Sequence, residues 1–115
     1  MSADKAQWLA QHWSARNAQG QHEILGDPAH KIVNAQLFRL EEQQALYERI
    51  NMPLLAVEAS DDSMHGWYKG RYTLEQYHVR LKSVPDVRIE VIEDAGHMLH
   101  HDQPQKLASL IAAFL

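Results

Sequence analysis

Two short polar segments contain the residue types that acid–base catalysis requires. Ser60-Asp61-Asp62 follows one predicted strand, and Gly96-His97 follows another. A histidine that acts as a general base needs a carboxylate on its Nδ1 atom, because that contact selects the tautomer and stabilises the imidazolium. A glycine before the histidine allows the backbone to turn sharply. The sequence therefore predicts an Asp–His pair, and the alternative is a pair of solvated acids beside a packing histidine.

Three stretches of the second half predict a strand, a helix and a strand. Leu54–Val57 is an unbroken apolar run, which is typical of a strand covered on both faces. Thr73 and Gln76 have the spacing of a capping box, and Val87–Ile92 alternates as a strand does. A βαβ unit joins parallel strands by a right-handed crossover, which brings both carboxyl ends to one edge of the sheet. We therefore predict an α/β fold in which the two polar segments share that edge.

The remaining stretches are predicted to be helical or irregular. Residues 3–18 and 37–50 have helical composition and spacing, whereas turn residues make 22–34 irregular. A last helix is expected from Asp102 as N-cap, with Pro104 in its first turn. We expect these helices to bury the apolar side chains of Trp8, Trp13, Leu107, Leu110, Ile111 and Phe114.

Composition excludes several classes of function. The chain has 115 residues, enough for one small domain, and its 45% hydrophobic and 23% charged content argues against disorder. A net charge of −4 disfavours nucleic-acid binding, and the lack of cysteine excludes disulfides, thiol catalysis and thiolate metal sites. No apolar run has the length of a membrane span, and polar residues follow Met1, so a cytoplasmic protein is expected.

Residues 50–115 resemble the C-terminal end of an α/β-hydrolase-fold protein. Residues 1–49 resemble the end of the mobile cap of such a protein and the return to its core sheet. The resemblance therefore divides the chain into a cap-like segment, 1–49, and a core βαβα segment, 50–115. The stretches that carry it are Met52-Pro53-Leu54-Leu55-Ala56-Val57, Ala95-Gly96-His97-Met98-Leu99-His100-His101-Asp102-Gln103-Pro104, Asp27-Pro28-Ala29-His30-Lys31 and Leu37-Phe38-Arg39.

The resemblance implies roles for the two polar segments. His97 matches the general base of the family, and Asp62 matches the triad acid, which usually lies three residues after a glycine. Ala59 stands in place of that glycine, so Asp61 is a second candidate for the acid. The implied reaction is attack by a serine on an ester or similar acyl substrate, without a cofactor. Some members of the fold use an aspartate nucleophile instead.

The nucleophile of such a hydrolase has no match in this sequence. The family places it in a G-x-S-x-G elbow, and none of the six serines has that context. A glycine-rich oxyanion loop is also missing. We therefore expect the isolated chain to have no triad-dependent hydrolase activity.

Two other classes of function are compatible with the sequence. On a helix, His97 and His101 would share a face with Asp102 nearby, which suits zinc. Gly96 and Pro104 bracket that segment as a loop, however, and it lacks the HExxH spacing. The chain can also be a non-catalytic α/β interaction module, because two strands alone form a marginal sheet with open edges. It is then expected to form a homo-oligomer or to pair with a missing N-terminal half.

Overall fold

The computed structural model describes residues 2–61 and 63–115. They fall into two units, the first ending at Phe38 and the second running from Arg39 to Leu115. The chain is mixed α/β and contains one antiparallel and one parallel two-stranded sheet. No helix in the described residues is long and apolar enough to cross a membrane.

The first unit consists of a helix followed by a small hairpin. Helix α1 spans Ala3–Trp13, and strands β1 (Ser14–Arg16) and β2 (His22–Ile24) pair antiparallel. The Asn17 side chain closes the turn between them, since its Oδ1 atom accepts the backbone N–H of residues 19 and 21 at 3.0 and 2.9 Å. Gly20, with φ of +77°, completes the turn. The predicted helix over 3–18 is therefore wrong beyond Trp13, because local turn chemistry converts its last residues into a strand.

Two other expectations about this unit are wrong. Residues 22–24 are a strand rather than irregular, although the 3-10 helix Pro28–Lys31 agrees with the predicted turn chemistry. Its N-cap is Asp27, whose Oδ1 accepts the Ala29 N–H at 2.8 Å. Trp8 and Trp13 are about half exposed rather than buried, so neither indole belongs to an apolar core.

The second unit contains the predicted parallel pair. Strand β3 (Leu54–Ala59) and strand β4 (Val87–Ile92) pair in register from Leu54 opposite Val87 to Ala59 opposite Ile92. Helix α4 (Leu74–Leu81) connects them. The Thr73 hydroxyl caps this helix by accepting the Gln76 N–H at 3.2 Å, and the Gln76 side chain accepts the Thr73 N–H at 3.1 Å. The capping box and the bounds of β4 are therefore confirmed.

The remaining helices of this unit are α2, α3, α5 and α6. Helix α2 covers Leu40–Tyr47, shorter than predicted at both ends, and α3 covers Ser63–Tyr68, where no helix is predicted. Helix α5 covers Leu99–Asp102, and α6 covers Pro104–Phe114. The boundary between the two compact units lies between Phe38 and Arg39, so α2 belongs to the second unit. The division expected from the sequence, 1–49 and 50–115, places α2 in the first segment.

The core of the second unit is small, with two buried residues before β4 and two at or after its carboxyl end. Its buried side chains are those of Leu81, Val84, Ile92 and Ala95. The expected apolar face of the last helix is confirmed in part, since Leu107, Leu110 and Phe114 are half-buried whereas Ile111 is 43% exposed. Asp102 does not cap this helix either. Gln103 occupies the N-cap position, Asp102 is the last residue of α5, and the Asp102 carboxylate accepts the Gly96 N–H.

Candidate active site

The loops that follow β3 and β4 are joined at the carboxyl edge of the parallel sheet. The Ser60 N–H donates to the Ile92 carbonyl oxygen, and the Asp61 N–H donates to the Ala95 carbonyl oxygen, both at 3.0 Å. These bonds continue the strand ladder beyond the ends of both strands. The backbone of Asp61 therefore lies beside the segment that leads into His97.

Two carboxylates flank the glycine that precedes the histidine. The Gly96 N–H donates to Oδ2 of Asp102 at 3.1 Å. A Cβ atom built on Gly96 would lie 3.6 Å from Oδ2 of Asp61 and 3.7 Å from Oδ2 of Asp102. The Asp61 carboxylate is thus directed toward the residue adjacent to His97.

The sharp turn in this loop is made by a different residue from the one that the sequence indicated. Asp94 has φ of +58°, in the left-handed region, whereas Gly96 is not among the residues with positive φ. The Cβ distances at Gly96 are ordinary van der Waals contacts. Aspartate tolerates the left-handed conformation better than most residues, which explains how Asp94 can turn the chain.

The imidazole of His97 is exposed and lies against an indole. The ring centroids of His97 and Trp67 are 4.6 Å apart, with 49° between the planes. Trp67 belongs to α3, so this helix, which the sequence did not predict, supplies the aromatic neighbour of the candidate base. Within residues 2–61 and 63–115, no hydrogen bond joins the Asp61 carboxylate to the His97 ring. The other candidate acid, Asp62, lies outside the described residues.

Among the described residues, the histidines next to His97 are not arranged as a metal site. His97 precedes α5 and His101 lies within it, so they do not share the face of one helix as the zinc hypothesis required. The rings of His100 and His101 pack against each other with centroids 4.2 Å apart. Among the side chains that the structure describes, no group of three or more His, Asp or Glu is arranged to hold a metal ion.

A carboxylate–imidazole hydrogen bond that was not anticipated from the sequence links β3 to α4. Oε1 of Glu58, on β3, lies 2.6 Å from Nε2 of His78, on α4. The Glu58 side chain is only 9% exposed, and that of His78 is 32% exposed. Among the described residues, the other oxygen of Glu58 is buried without a hydrogen-bond partner. The signal in the sequence was a single acid directly after the apolar run of β3.

A tyrosine beside this pair has a perturbed acidity. Burial raises the pKa of the Tyr77 hydroxyl above its ordinary value of 10.0, and the charges of Tyr47, Glu58 and Tyr72 raise it further. Both effects disfavour the tyrosinate. Tyr77 is therefore a neutral hydroxyl near a carboxylate over the whole physiological pH range.

A serine–histidine contact in the first unit is not a nucleophile with its base. Oγ of Ser14 lies 3.0 Å from Nδ1 of His22, but the hydroxyl donates to the Ala10 carbonyl oxygen at 2.6 Å. A hydroxyl has only one proton, so the ring nitrogen must donate to the serine oxygen. His22 consequently stabilises the hairpin and does not accept the Ser14 proton.

Comparison with known proteins does not assign the chain to a family. Protein-family models, curated proteins and solved structures all give no match to the chain. The features that define the protein are thus a mixed α/β fold and a parallel strand pair whose carboxyl edge carries Asp61 and His97.

Proposed function

We propose that this chain is the C-terminal part of a serine-type α/β hydrolase that acts on an ester or similar acyl substrate. It supplies His97 as the general base and Asp62, or alternatively Asp61, as the triad acid. The proposal is supported chiefly by the hydrogen bond from Asp61 N–H to the Ala95 carbonyl oxygen, 3.0 Å long. This bond keeps the acid-bearing loop beside the histidine-bearing loop, as a triad requires.

In the proposed reaction, a serine from another part of the protein attacks the acyl carbon. His97 removes the serine proton and returns it to the leaving group, which leaves the acyl group on the serine. His97 then deprotonates a water molecule that hydrolyses this bond and releases the acid, and in both steps the carboxylate orients the ring and stabilises the imidazolium. The exposure of the imidazole supports this role, since a general base must reach its substrate. The contact with Trp67 restricts the orientations of the ring.

The first test is the coding sequence upstream of the codon for Met1. An open reading frame that continues upstream and encodes G-x-S-x-G is expected. An in-frame stop codon directly upstream would refute the proposal, and an aspartate at the centre of the elbow would replace the serine chemistry by that of an aspartate nucleophile.

The second test is the hydrolysis of a p-nitrophenyl ester by the extended protein. His97→Ala is expected to lower kcat by at least about 10³-fold, since removal of a triad member leaves little of the rate enhancement. His100→Ala, on the adjacent helix, is the matched control and is expected to retain activity. Asp62→Asn and Asp61→Asn, compared side by side, identify the acid. Equal rates for the His97 and His100 variants would disprove the assignment of the base.

A further inference from the structure

In the described residues, the edge of β4 that faces away from β3 has no strand beside it. Two hydrogen bonds show which residues of β4 face β3. The Leu54 N–H donates to the Asp86 carbonyl oxygen at 2.9 Å, and the Ser60 N–H donates to the Ile92 carbonyl oxygen at 3.0 Å. Since bonded residues alternate along a strand, Val87, Ile89 and Val91 direct their backbone N–H and C=O groups outward. In the described part of the chain, β4 pairs with β3 only. These outward groups can therefore pair with another strand.

The sequence of this edge is complementary to itself. Val87-Arg88-Ile89-Glu90-Val91 reads apolar, basic, apolar, acidic, apolar in one direction, and its charges exchange sign when it is read in the other. In an antiparallel pair of two such strands centred on Ile89, the Arg88 side chain lies opposite Glu90 of the second copy, and Glu90 lies opposite its Arg88. Val87 and Val91 then lie opposite each other.

The backbone permits a register centred on Ile89, and the charges favour it over its neighbours. The outward groups of Ile89 hydrogen-bond to those of Ile89 of the second copy, so residues 88 and 90 form the non-hydrogen-bonded pairs, in which side chains approach more closely. A shift of the centre to residue 88 or residue 90 would place two arginines or two glutamates opposite each other. Among the registers centred on residues 88, 89 and 90, the one centred on Ile89 is therefore the one that pairs opposite charges.

The side chains concerned are accessible. The Arg88 side chain is 53% exposed, and its contact with Glu90, 2.7 Å long, is a pair within one strand. Val91 is 51% exposed and also lines a groove of about 540 Å³ between the end of β4 and α6. The outer edge of β3 is less suited to such pairing. An antiparallel pair of β3 strands centred on Val57 would place the buried Glu58 opposite an alanine, without an ionic partner.

We propose that a second copy of this chain pairs with the outer edge of β4, antiparallel and about a two-fold axis at Ile89. The pairing joins the two-stranded sheets of two copies into one sheet of four strands, and a sheet of three or more strands is more stable than an isolated pair. It covers Val91, and it leaves the outer edge of β3 free. This inference does not depend on the proposed hydrolase function.

The test is sedimentation of the full chain over a range of concentrations. The wild-type chain is expected to be a dimer. Arg88→Glu and Glu90→Arg each place like charges opposite each other, so each variant alone is expected to dimerise at least about tenfold more weakly. Arg71→Glu, an exposed charge reversal outside the strand, is the control and is expected to dimerise as the wild type does.

An equimolar mixture of the two variants is the decisive experiment. One variant has two acids on this face of β4 and the other has two bases, so a heterodimer regains both opposite-charge pairs. Neither variant contains the pair within one strand, so recovery in the mixture can arise only between chains. Circular dichroism of each variant verifies that it is folded. A monomeric wild type, single variants that still dimerise normally, or a mixture without heterodimers would each overturn the proposal.

Discussion

The Nε2 atom of His78 lies 2.6 Å from Oε1 of Glu58, so a buried carboxylate of β3 has its hydrogen-bond partner on the crossover helix α4. This contact joins the sheet to the helix on the face that carries Glu58. Burying the Glu58 carboxylate costs free energy, and hydrogen bonds offset that cost. Because Oε2 of Glu58 has no partner among the described residues, most of this offset comes from the contact with His78.

His78→Ala is expected to lower the free energy of unfolding by about 1.5–3 kcal/mol, since it leaves a buried carboxylate without any hydrogen bond. The measurement is chemical denaturation at neutral pH. Val79→Ala, at an exposed neighbouring position of the same helix, is the matched control and should change stability by less than about 0.5 kcal/mol.

A Glu58→Leu background provides the cross-check for this contact. There, His78→Ala is expected to cost less than in the wild type, because no buried carboxylate remains. An equal cost in the two backgrounds would show that the loss reflects packing of the histidine rather than its hydrogen bond.

The raised pKa of Tyr77 predicts a loss of stability in alkaline solution. The folded state disfavours the tyrosinate because of burial and nearby negative charge. The contribution of Tyr77 to the free energy of unfolding is therefore fully present below pH 10.0, the ordinary pKa. It is lost as the pH rises above that value and through the higher pKa of the folded state.

Tyr77→Phe is expected to flatten the alkaline decline of the unfolding free energy, and Glu58→Gln to lower the pKa of Tyr77 toward 10.0. Both effects can be measured by ultraviolet titration of the tyrosinate combined with denaturation at several pH values. An alkaline decline of unchanged slope in Tyr77→Phe would contradict the prediction.

The contact between Trp67 and His97 predicts a ring-current effect. With centroids 4.6 Å apart, the indole displaces the resonances of the His97 ring protons in NMR spectra. Trp67→Ala should move these resonances toward those of a free histidine and leave those of His30, in the other unit, unchanged. Identical His97 shifts in the variant and the wild type would mean that the two rings are not in contact.

Two glycines are expected to respond differently to substitution by alanine. Gly96→Ala meets only ordinary contacts at a φ that alanine can adopt, so it should be neutral or raise stability by about 0.4–1 kcal/mol. Gly70→Ala, where φ is +72°, should lower stability by about 1–2 kcal/mol. Thermal unfolding of the two variants compares the effects directly. A larger loss of stability in Gly96→Ala than in Gly70→Ala would show that a side chain at Gly96 is less well accommodated than the contact distances indicate.

Local signals in the sequence were sufficient where neighbours along the chain decide the conformation. Thr73 and Gln76 satisfy each other across one helical turn, and the alternation of Val87–Ile92 is complete within six residues. The hairpin after Trp13 was missed because helix-favouring residues lead into it. The turn depends on one side chain, Asn17, which accepts two backbone N–H groups.

By itself, the sequence determined that two strands run parallel and that Asp61 and Gly96-His97 follow them at one edge. Only the tertiary structure decided which groups meet: Glu58 with His78, twenty positions apart, Trp67 with His97, and Asp102 with the Gly96 backbone. It also decided that the apolar side chains of α6 remain partly exposed. Such contacts depend on the packing of elements against one another, and a hydrophobic pattern states which face is apolar but not whether another element covers it.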